Sequence, residues 1–470
     1  MAKSKKSSKE MTLEEKLEQA LVPAEEQPYG VPKNWCWVRV SCIAEIYTGN
    51  SVNQKTKDEK YKGQKTGLLF IATKDIGFDN EIHYETNLRI PDFNHYKIAP
   101  ANTALLCIEG GSAGRKVGFV TQNVCFGNKL CAFVARTINP KFIFYYLQSQ
   151  YFIHQFNRKK HGLIGGVSIR DLADIKFMLP PIAEQQRIVV RIENLFAKLD
   201  TAKEKIQDFA DNFKFRRAAV LHKAFTGELS KQWRNLHGIG MDSWKQLSVS
   251  ALCHSLKYGT SKKSEKSGRV VVVRMGNLQQ GEIDWSNLAY SNDKEDIEKY
   301  KLKEGDVLFN RTNSSALVGK TSIYRGGYPA IYAGYLIKLE YKRDIITGDF
   351  LNYALNTNHA KDYCNLVKTD GVNQSNINAK KIGAYVIPVP EIEEQTAIVE
   401  VLDKFFEKER QAKEFAESVL EQMETIKKSI LAHAFRGSLG TNHQSDENSI
   451  ELLKKILIVN NGIYLYNERK

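Results

Sequence analysis

Three stretches of this chain carry residue types that could do chemistry, and each fails on spacing. Gly319-Lys320-Thr321 follows an apolar run at 307–309, as the end of a phosphate-binding loop would, where backbone amides and a lysine cradle a nucleotide. The first glycine of that motif would fall at Ser314, and no later Asp-ended apolar strand follows. Asn139-Pro140-Lys141-Phe142 resembles the Asn-Pro-Pro-aromatic box that holds a target base in amino-methyltransferases. It lacks the second proline and has no Gly-rich cofactor loop upstream. Pro91-Asp92 followed by Glu109-Gly110-Gly111 lacks the lysine that a nuclease of the Pro-Asp, Glu-x-Lys pattern needs. The ten histidines show no metal spacing. Cys36, Cys42, Cys107, Cys125, Cys131, Cys253 and Cys364 form no C-x-x-C pair, which leaves buried free thiols in a reducing cytoplasm as the expectation. Neither a catalytic residue nor a cofactor or metal site is predicted.

What remains is a set of polar, basic, glycine-bearing loops at equivalent places in two halves of the chain. The first half contributes 55–65, 110–116 and 161–168, with Lys55, Lys57, Lys60, Lys62, Lys65, Arg115, Lys116, His161 and Ser168 as candidates. The second contributes 261–269, 311–320 and 370–378, with Lys262, Lys263, Arg269, Arg311, Asn313, Lys320, Asn373, Gln374 and Asn376. Arg and Lys can pair with guanine edges and Asn or Gln with adenine in a major groove, while lysines and amides fix register on phosphates. The charge is placed to match. Of the net +14, residues 32–178 hold +9 and 242–388 hold +6, whereas 1–31 hold −1 and 441–470 are neutral. Two basic lobes point to an extended polyanion, and duplex DNA is the obvious one.

The element that positions these lobes occurs twice. Residues 179–229 and 389–439 align without a gap at a constant offset of 210, from Pro180 and Pro390 through Gln185 and Gln395 to Phe225 and Phe435. Each copy carries an apolar heptad seam: Ile188, Ile192, Leu195, Leu199, Ala202, Ile206, Phe209 and Phe213 in one, and Ile398, Leu402, Phe405, Ala412, Ala416, Val419, Met423, Ile426 and Ile430 in the other. Residues 179–241 carry +4 and 389–440 carry −4, so each helix is the natural partner of the other. A single helix over 182–225 would be about 66 Å long, and the linker 226–243 spans about 60 Å when fully extended. A parallel pair would force the chain back along the whole helix. The expectation is therefore an antiparallel intramolecular coiled coil with a lobe at each end, related by a pseudo-two-fold axis.

The lobes read as mixed α/β. In the first, short apolar runs at 68–72, 104–108, 116–120 and 129–134 are predicted strands, 141–156 a strongly apolar helix, and 175–179 a strand leading into the long helix. The second repeats this order, with 270–275 matching 68–74, 350–358 matching 142–150, and Lys257-Tyr258-Gly259 matching Tyr47-Thr48-Gly49. The predicted division is a tail and short helix at 1–31, a lobe at 32–178, a helix at 179–229 and a linker at 230–243. A second lobe follows at 244–388, then a helix at 389–439 and a tail at 440–470. Thr12 caps the short helix, Pro23, Pro28 and Pro32 make an extended tether, and Lys3, Lys5, Lys6 and Lys9 a frayed end. The apolar segment 450–466 is expected to dock back on the protein. No 18-residue apolar run is present, so no membrane span is predicted.

At these residues the chain resembles the specificity subunits of type I restriction-modification systems. Their hallmark, a proline-led helix start ending in Glu-Gln and repeated after two variable target-recognition domains, stands here as Pro180-Pro181-Ile182-Ala183-Glu184-Gln185 and Pro390-Glu391-Ile392-Glu393-Glu394-Gln395. The Gly-x-x-x-Gln-x-Asn pattern before the helix survives in degraded form at Gly371–Ile377, while Gly165–Ile169 departs from it. The resemblance covers about 31–440. It implies that each recognition domain reads one half of a bipartite DNA site through the major groove, and that the helices set the unread spacer. It also implies a non-catalytic, cytoplasmic subunit working with two methyltransferase subunits that bind S-adenosylmethionine and, in the full complex, with restriction/translocase subunits that use ATP and Mg. The alternative is a coiled-coil scaffold that binds protein partners, its basic lobes incidental. A mobility shift on random duplex DNA separates the two.

Overall fold

The computed structural model describes residues 11–162 and 165–467, side chains excepted at 214 and 460–467. The lysine-rich start and two residues of the 161–168 loop lie outside that range. The chain forms two compact units, residues 1–204 with 419–470, and residues 205–418.

In the first unit, short apolar runs, buried on both faces in the central strands, build an antiparallel sheet in the order Ala44–Thr48, Leu130–Ala135, Thr103–Cys107, Val117–Val120. A second sheet runs Arg89–Ile90, Leu68–Ile71, Val124–Phe126, Ile98–Ala99, with Leu68–Ile71 parallel to Val124–Phe126. Cys36–Arg39 pairs antiparallel with Lys176–Leu179, closing the lobe where the long helix begins. The apolar helix predicted over 141–156 is two helices, Pro140–Leu147 and Gln150–Arg158, because Ser149 accepts a hydrogen bond from Phe152 N and starts a new helix there. Phe142, Tyr146, Phe152, Phe156 and Phe177 fill the core between helices and sheet. The expected tether is packed: Val22 is buried, Ala24–Glu26 form a 3-10 turn, and Tyr29 sits among aromatic rings. The tail does dock. Ser449–Asn467 is helical, with Leu452, Leu453 and Ile456 buried, and it packs on Leu13–Ala20.

The second unit repeats the plan. Its antiparallel sheet runs Cys253–Tyr258, Leu336–Tyr341, Val307–Asn310, Thr321–Ile323, and its second sheet Tyr290–Ser291, Val270–Val273, Ala330–Tyr332 contains the matching parallel pair. Lys245–Ser248 with Val386–Val389 repeats the closing clip. Gly49 and Gly259 occupy the same turn, and a Cβ on either would lie 2.0 Å from Phe126 O or 2.2 Å from Tyr332 O, so only glycine fits at both. The linker contains a helix, Lys231–His237, and a 3-10 turn, Met241–Ser243, so it reaches less far than the length of about 60 Å that bounds it when extended.

The first long helix runs Ile182–Asp211 and resumes at Phe213–Phe225, the turn at Asn212 interrupting the single helix expected. The second is continuous over Ile392–Ala434. In the first unit, Lys427 Nζ lies 2.7 Å from Asp200 Oδ1 and 5.4 Å above the Phe196 ring, so the end of one helix faces the start of the other. In the second unit, Arg217 lies 4.4 Å above the Phe406 ring and 3.7 Å from Glu409. The two cation-over-ring contacts map onto each other at the offset of 210, Lys427 onto Arg217 and Phe196 onto Phe406, so the helices are antiparallel in both units with one register. Ile188, Ile192, Ile398 and Leu402 are fully buried where a lobe also covers the seam, and Phe213 and Met423 are buried farther along. Leu195, Leu199, Ile206, Phe405, Val419 and Ile430 are half-buried. Phe209 and Ile426 depart from the expectation, at 38% and 44% exposed, because the heptad pattern gives the face and not the depth of its cover.

Candidate nucleic-acid interface

Each lobe is held firmly on its helix by the repeated Glu-Gln pair. Glu184 is fully buried and accepts from Trp35 Nε1 at 2.6 Å, Asn442 Nδ2 at 2.7 Å and Thr441 Oγ1 at 3.2 Å. It thereby joins the helix start, the tryptophan that opens the lobe and the chain leaving the other helix. Glu394 does the same with Trp244 Nε1 at 3.0 Å and with Ser230 Oγ and Arg234 Nη1, both at 2.6 Å. Arg234 also donates to Gly227 O at 2.6 Å. The glutamines tie in the apolar helix of each lobe. Gln185 Oε1 accepts from Asn139 N and Gln395 Oε1 from Thr347 N, both at 2.9 Å, at the N-caps of Pro140–Leu147 and Gly348–Leu355. Asn139-Pro140 is thus a helix cap with proline in the first turn, where a missing N–H costs nothing. Gly319-Lys320-Thr321 leads into a strand, not into the helix a phosphate loop requires.

In the first unit loops 110–116 and 161–168 meet at the end of the Ala44–Thr48 sheet from which the chain runs on to 55–65, while 55–65 itself pairs with 87–88. Asn50 bridges Gly127, Gly110 N donates to Gly165 O at 3.3 Å, and Glu109 and His161 both pair with Gly166. Lys55, Lys60, Lys62 and Lys65 are exposed on a turn whose start Asn53 caps, and Lys55 lies 3.9 Å from Glu59. Lys57 is half-buried over the Phe70 ring. Arg115 and Lys116 sit 4.9 and 4.7 Å from the ring of Phe78, which is 61% exposed, and Lys116 also donates to Thr73 O.

In the second unit loops 311–320 and 370–378 pair at the equivalent end, next to the turn from which the chain runs on to 261–269. Gly334 N donates to Thr260 O, Arg311 N to Tyr335 O, Ile377 N to Arg311 O, and Ala379 N to the Tyr258 hydroxyl. The Arg311 guanidinium stacks on Tyr258 at 4.8 Å. Lys263, Arg269, Asn373 and Gln374 are exposed. Asn313 and Lys320 line a recess of about 380 Å³ with Arg274, Met275, Gln279 and Leu317, and Lys320 donates to Gln279 Oε1 at 3.0 Å. Three more predicted residues, like Lys116 and Lys320, have internal partners. Ser168 caps the helix Ile169–Ala173, Asn376 Nδ2 donates to Thr312 Oγ1 at 2.8 Å, and Lys262 is held 2.7 Å from Asp293 and 3.6 Å from Asp296. The exposed aromatics Phe78, Tyr258 and Tyr335 are invisible to a search for charge; a ring beside an arginine or lysine on a glycine-bearing loop was the available signal.

Among the described residues no helix is long and apolar enough to cross a membrane, and no group of acidic, histidine and cysteine side chains is arranged to hold a metal.

Residues 32–208 and 241–417 each match the family model of the type I restriction modification DNA specificity domain. The chain is 28% identical over 302 residues to the type I restriction enzyme EcoKI specificity subunit of Escherichia coli strain K12, covering 60% of this chain and 63% of that protein. It is 26% identical over 426 residues to the StySPI specificity subunit of Salmonella potsdam, covering 87% and 90%. Its fold is similar to that of a chain from a structure of the type I R-M system, with a TM-score of 0.65 at 18% identity over 87% of this chain and all of that one. It is also similar to the HsdS subunit from Thermoanaerobacter tengcongensis, with a TM-score of 0.57 at 18% identity over 88% and 99%. With two copies of one domain accounting for most of its length, the chain belongs to the type I restriction-modification DNA specificity family.

Proposed function

We propose that the two loop faces are the surfaces with which this DNA-specificity subunit reads its target, one half of a bipartite duplex site to each lobe, and that the antiparallel helices set the unread spacer between the halves. One observation carries the reading: two loops, 110–116 with 161–168 and 311–320 with 370–378, pair at the same end of the same sheet in both units, with a third running on from the strand end beside them, yet they present different side chains. Lysines and Phe78 with Arg115 mark the first face, and Arg311 with Tyr258 and Tyr335 the second. A reader of two dissimilar half-sites needs a common frame with unlike side chains. The scaffold alternative gives no reason for that parallel placement. The chain supplies specificity and no catalysis. Two methyltransferase subunits carrying S-adenosylmethionine, and restriction subunits using ATP and Mg, supply the reactions in the cytoplasm.

The test is binding and methylation by the complex assembled with its methyltransferase partner. Replacing Lys55, Lys60, Lys62 and Lys65 by alanine should weaken binding uniformly across sequences. It should also flatten the salt dependence by about one unit of log-log slope for each phosphate no longer neutralised. Arg311→Ala should relax base preference in one half-site only, at a cost of about 1–3 kcal/mol against the preferred base. An unchanged salt slope together with an unchanged methylated sequence would refute the assignment of the loops.

A further inference from the structure

In the first unit Tyr29 occupies a groove beside the end of the second long helix. Its hydroxyl donates to Phe435 O at 3.0 Å, and its carbonyl accepts from Trp37 Nε1 at 3.3 Å. Its ring meets Trp37 and Tyr151 edge-on at 5.0 and 5.3 Å, and the Arg436 guanidinium lies 5.5 Å away over its face. Each of these four neighbours has a counterpart in the second unit. The clips align Cys36 opposite Leu179 with Lys245 opposite Val389, which places Gln246 where Trp37 stands. Ser149 and Thr357 cap matching helices, so His359 takes the place of Tyr151. At the helix offset, Phe225 and Thr226 replace Phe435 and Arg436. These four counterparts line one groove of about 620 Å³ in the second unit, with Ala219 and Tyr385 among its walls.

The chain's own path leaves that groove open. Tyr29 stands six residues before Trp35, and six before Trp244 stands Gly238, a left-handed helix cap with no side chain to insert. The linker is drawn elsewhere, through Ser230 and Arg234 to Glu394. The polar equipment for an aromatic hydroxyl is nevertheless repeated. The Phe225 carbonyl stands in for that of Phe435, and the Gln246 carboxamide can donate to a backbone carbonyl as the Trp37 indole does. His359 Nδ1 lies 2.9 Å from the Tyr385 hydroxyl at the wall.

We propose that this groove of the second unit receives a tyrosine carried on an extended segment of a partner protein, in the pose that Tyr29 adopts in the first unit. A second copy of this chain is the poorer occupant, because it would have to withdraw Tyr29 from its own groove and give up both hydrogen bonds there. A different protein pays no such cost. The inference rests on the reading of the chain as a subunit of a larger assembly and is independent of which loops touch DNA. Its failure would leave the methylation test above unaffected.

The probe is a fluorescent peptide of residues 22–33 added to the full-length chain, whose first groove is filled by its own covalent segment. Saturable binding is expected, weakened at least tenfold by Tyr29→Ala in the peptide and several-fold by Tyr29→Phe. In the chain, Ala219→Trp should block the groove. Gln246→Ala, an exposed position on the clip, serves as the second variant and should weaken binding without disturbing the fold. A photo-crosslinker at position 219 in the complex assembled with methyltransferase subunits should then capture a tyrosine-bearing segment of a partner chain. Absence of saturable binding at millimolar peptide, binding indifferent to Tyr29→Ala or to both chain variants, or a crosslink to a second copy of this chain would each overturn the proposal.

Discussion

Removing Glu394 should loosen the second unit far more than removing Glu184 loosens the first, because the two clamps differ in charge. Glu394 is 1% exposed, and Arg234, at 6%, is its buried ionic partner. Glu184 is met by the neutral donors of Trp35, Thr441 and Asn442. Glu394→Ala strands a buried guanidinium together with the Trp244 indole and the Ser230 hydroxyl, and breaking a buried pair from one side costs about 3–5 kcal/mol. Glu184→Ala leaves neutral groups unpaired, at about 1–3 kcal/mol. Hydrogen exchange of the full chain, followed by peptide, reads both. In the second unit, segments 226–245 and 392–402 should exchange about 10²- to 10³-fold faster in Glu394→Ala, with the first unit unchanged. Combining it with Arg234→Met removes both charges and should recover part of the stability, since the pair then no longer leaves an orphan. Additive effects of the two substitutions, or a Glu184→Ala penalty as large as that of Glu394→Ala, would refute the reasoning.

Two further outcomes follow from packing and burial. Arg217→Ala should cost about 1–2 kcal/mol, since Arg217 covers the Phe406 ring with Glu409 only 16% exposed beside it. Lys427→Ala should cost under about 1 kcal/mol, because its partner Asp200 is 54% exposed and solvent screens the pair. Exchange rates in the two helix pairs check the order, and a reversed order would count against a cation-on-ring register lock. Burial holds the thiols of Cys36, Cys131 and Cys253 up at about 12 and those of Cys125 and Cys364 at about 11, so all five stay neutral at pH 8 in the folded chain. Alkylation at that pH should begin at Cys42, the one cysteine that is not buried, and early labelling of Cys131 would contradict the packing.

Much of the frame was legible because it rests on periodicity and duplication. The constant offset and the heptad seam located both long helices, and the reach of the chain gave their antiparallel sense. The details that escaped depend on local competition for hydrogen bonds. Ser149 caps a new helix inside a strongly apolar run, and a hydrophobic pattern has no means of registering that capture. The same competition gives three candidate readers internal partners that their residue types do not announce: Ser168 caps a helix, Asn376 bonds a neighbouring strand, and Lys262 finds two aspartates. Charge and residue type name a side chain's capacity. Only the fold decides which neighbour uses it.

The Glu-Gln motif shows how far that distinction reaches. In the sequence it marks only a helix start, and an acid near a helix N-terminus is ordinarily explained by the helix dipole. Its burial excludes that as the whole account, since an exposed carboxylate would serve the dipole as well. Each glutamate instead holds three pieces of chain distant in sequence: its own helix, the tryptophan opening its lobe, and the segment leaving the opposite helix. Each glutamine holds the cap of the lobe's apolar helix. The lobe therefore cannot tilt on its helix without breaking buried bonds at several points. The base reading proposed for the loop faces needs that stiffness, since a side chain displaced by about an ångström from a base edge loses its hydrogen bond. The motif keeps its tryptophan and helix-cap partners in both units and takes different donors from the segment leaving the opposite helix, because both lobes need the same mounting, while the loops they present are free to differ.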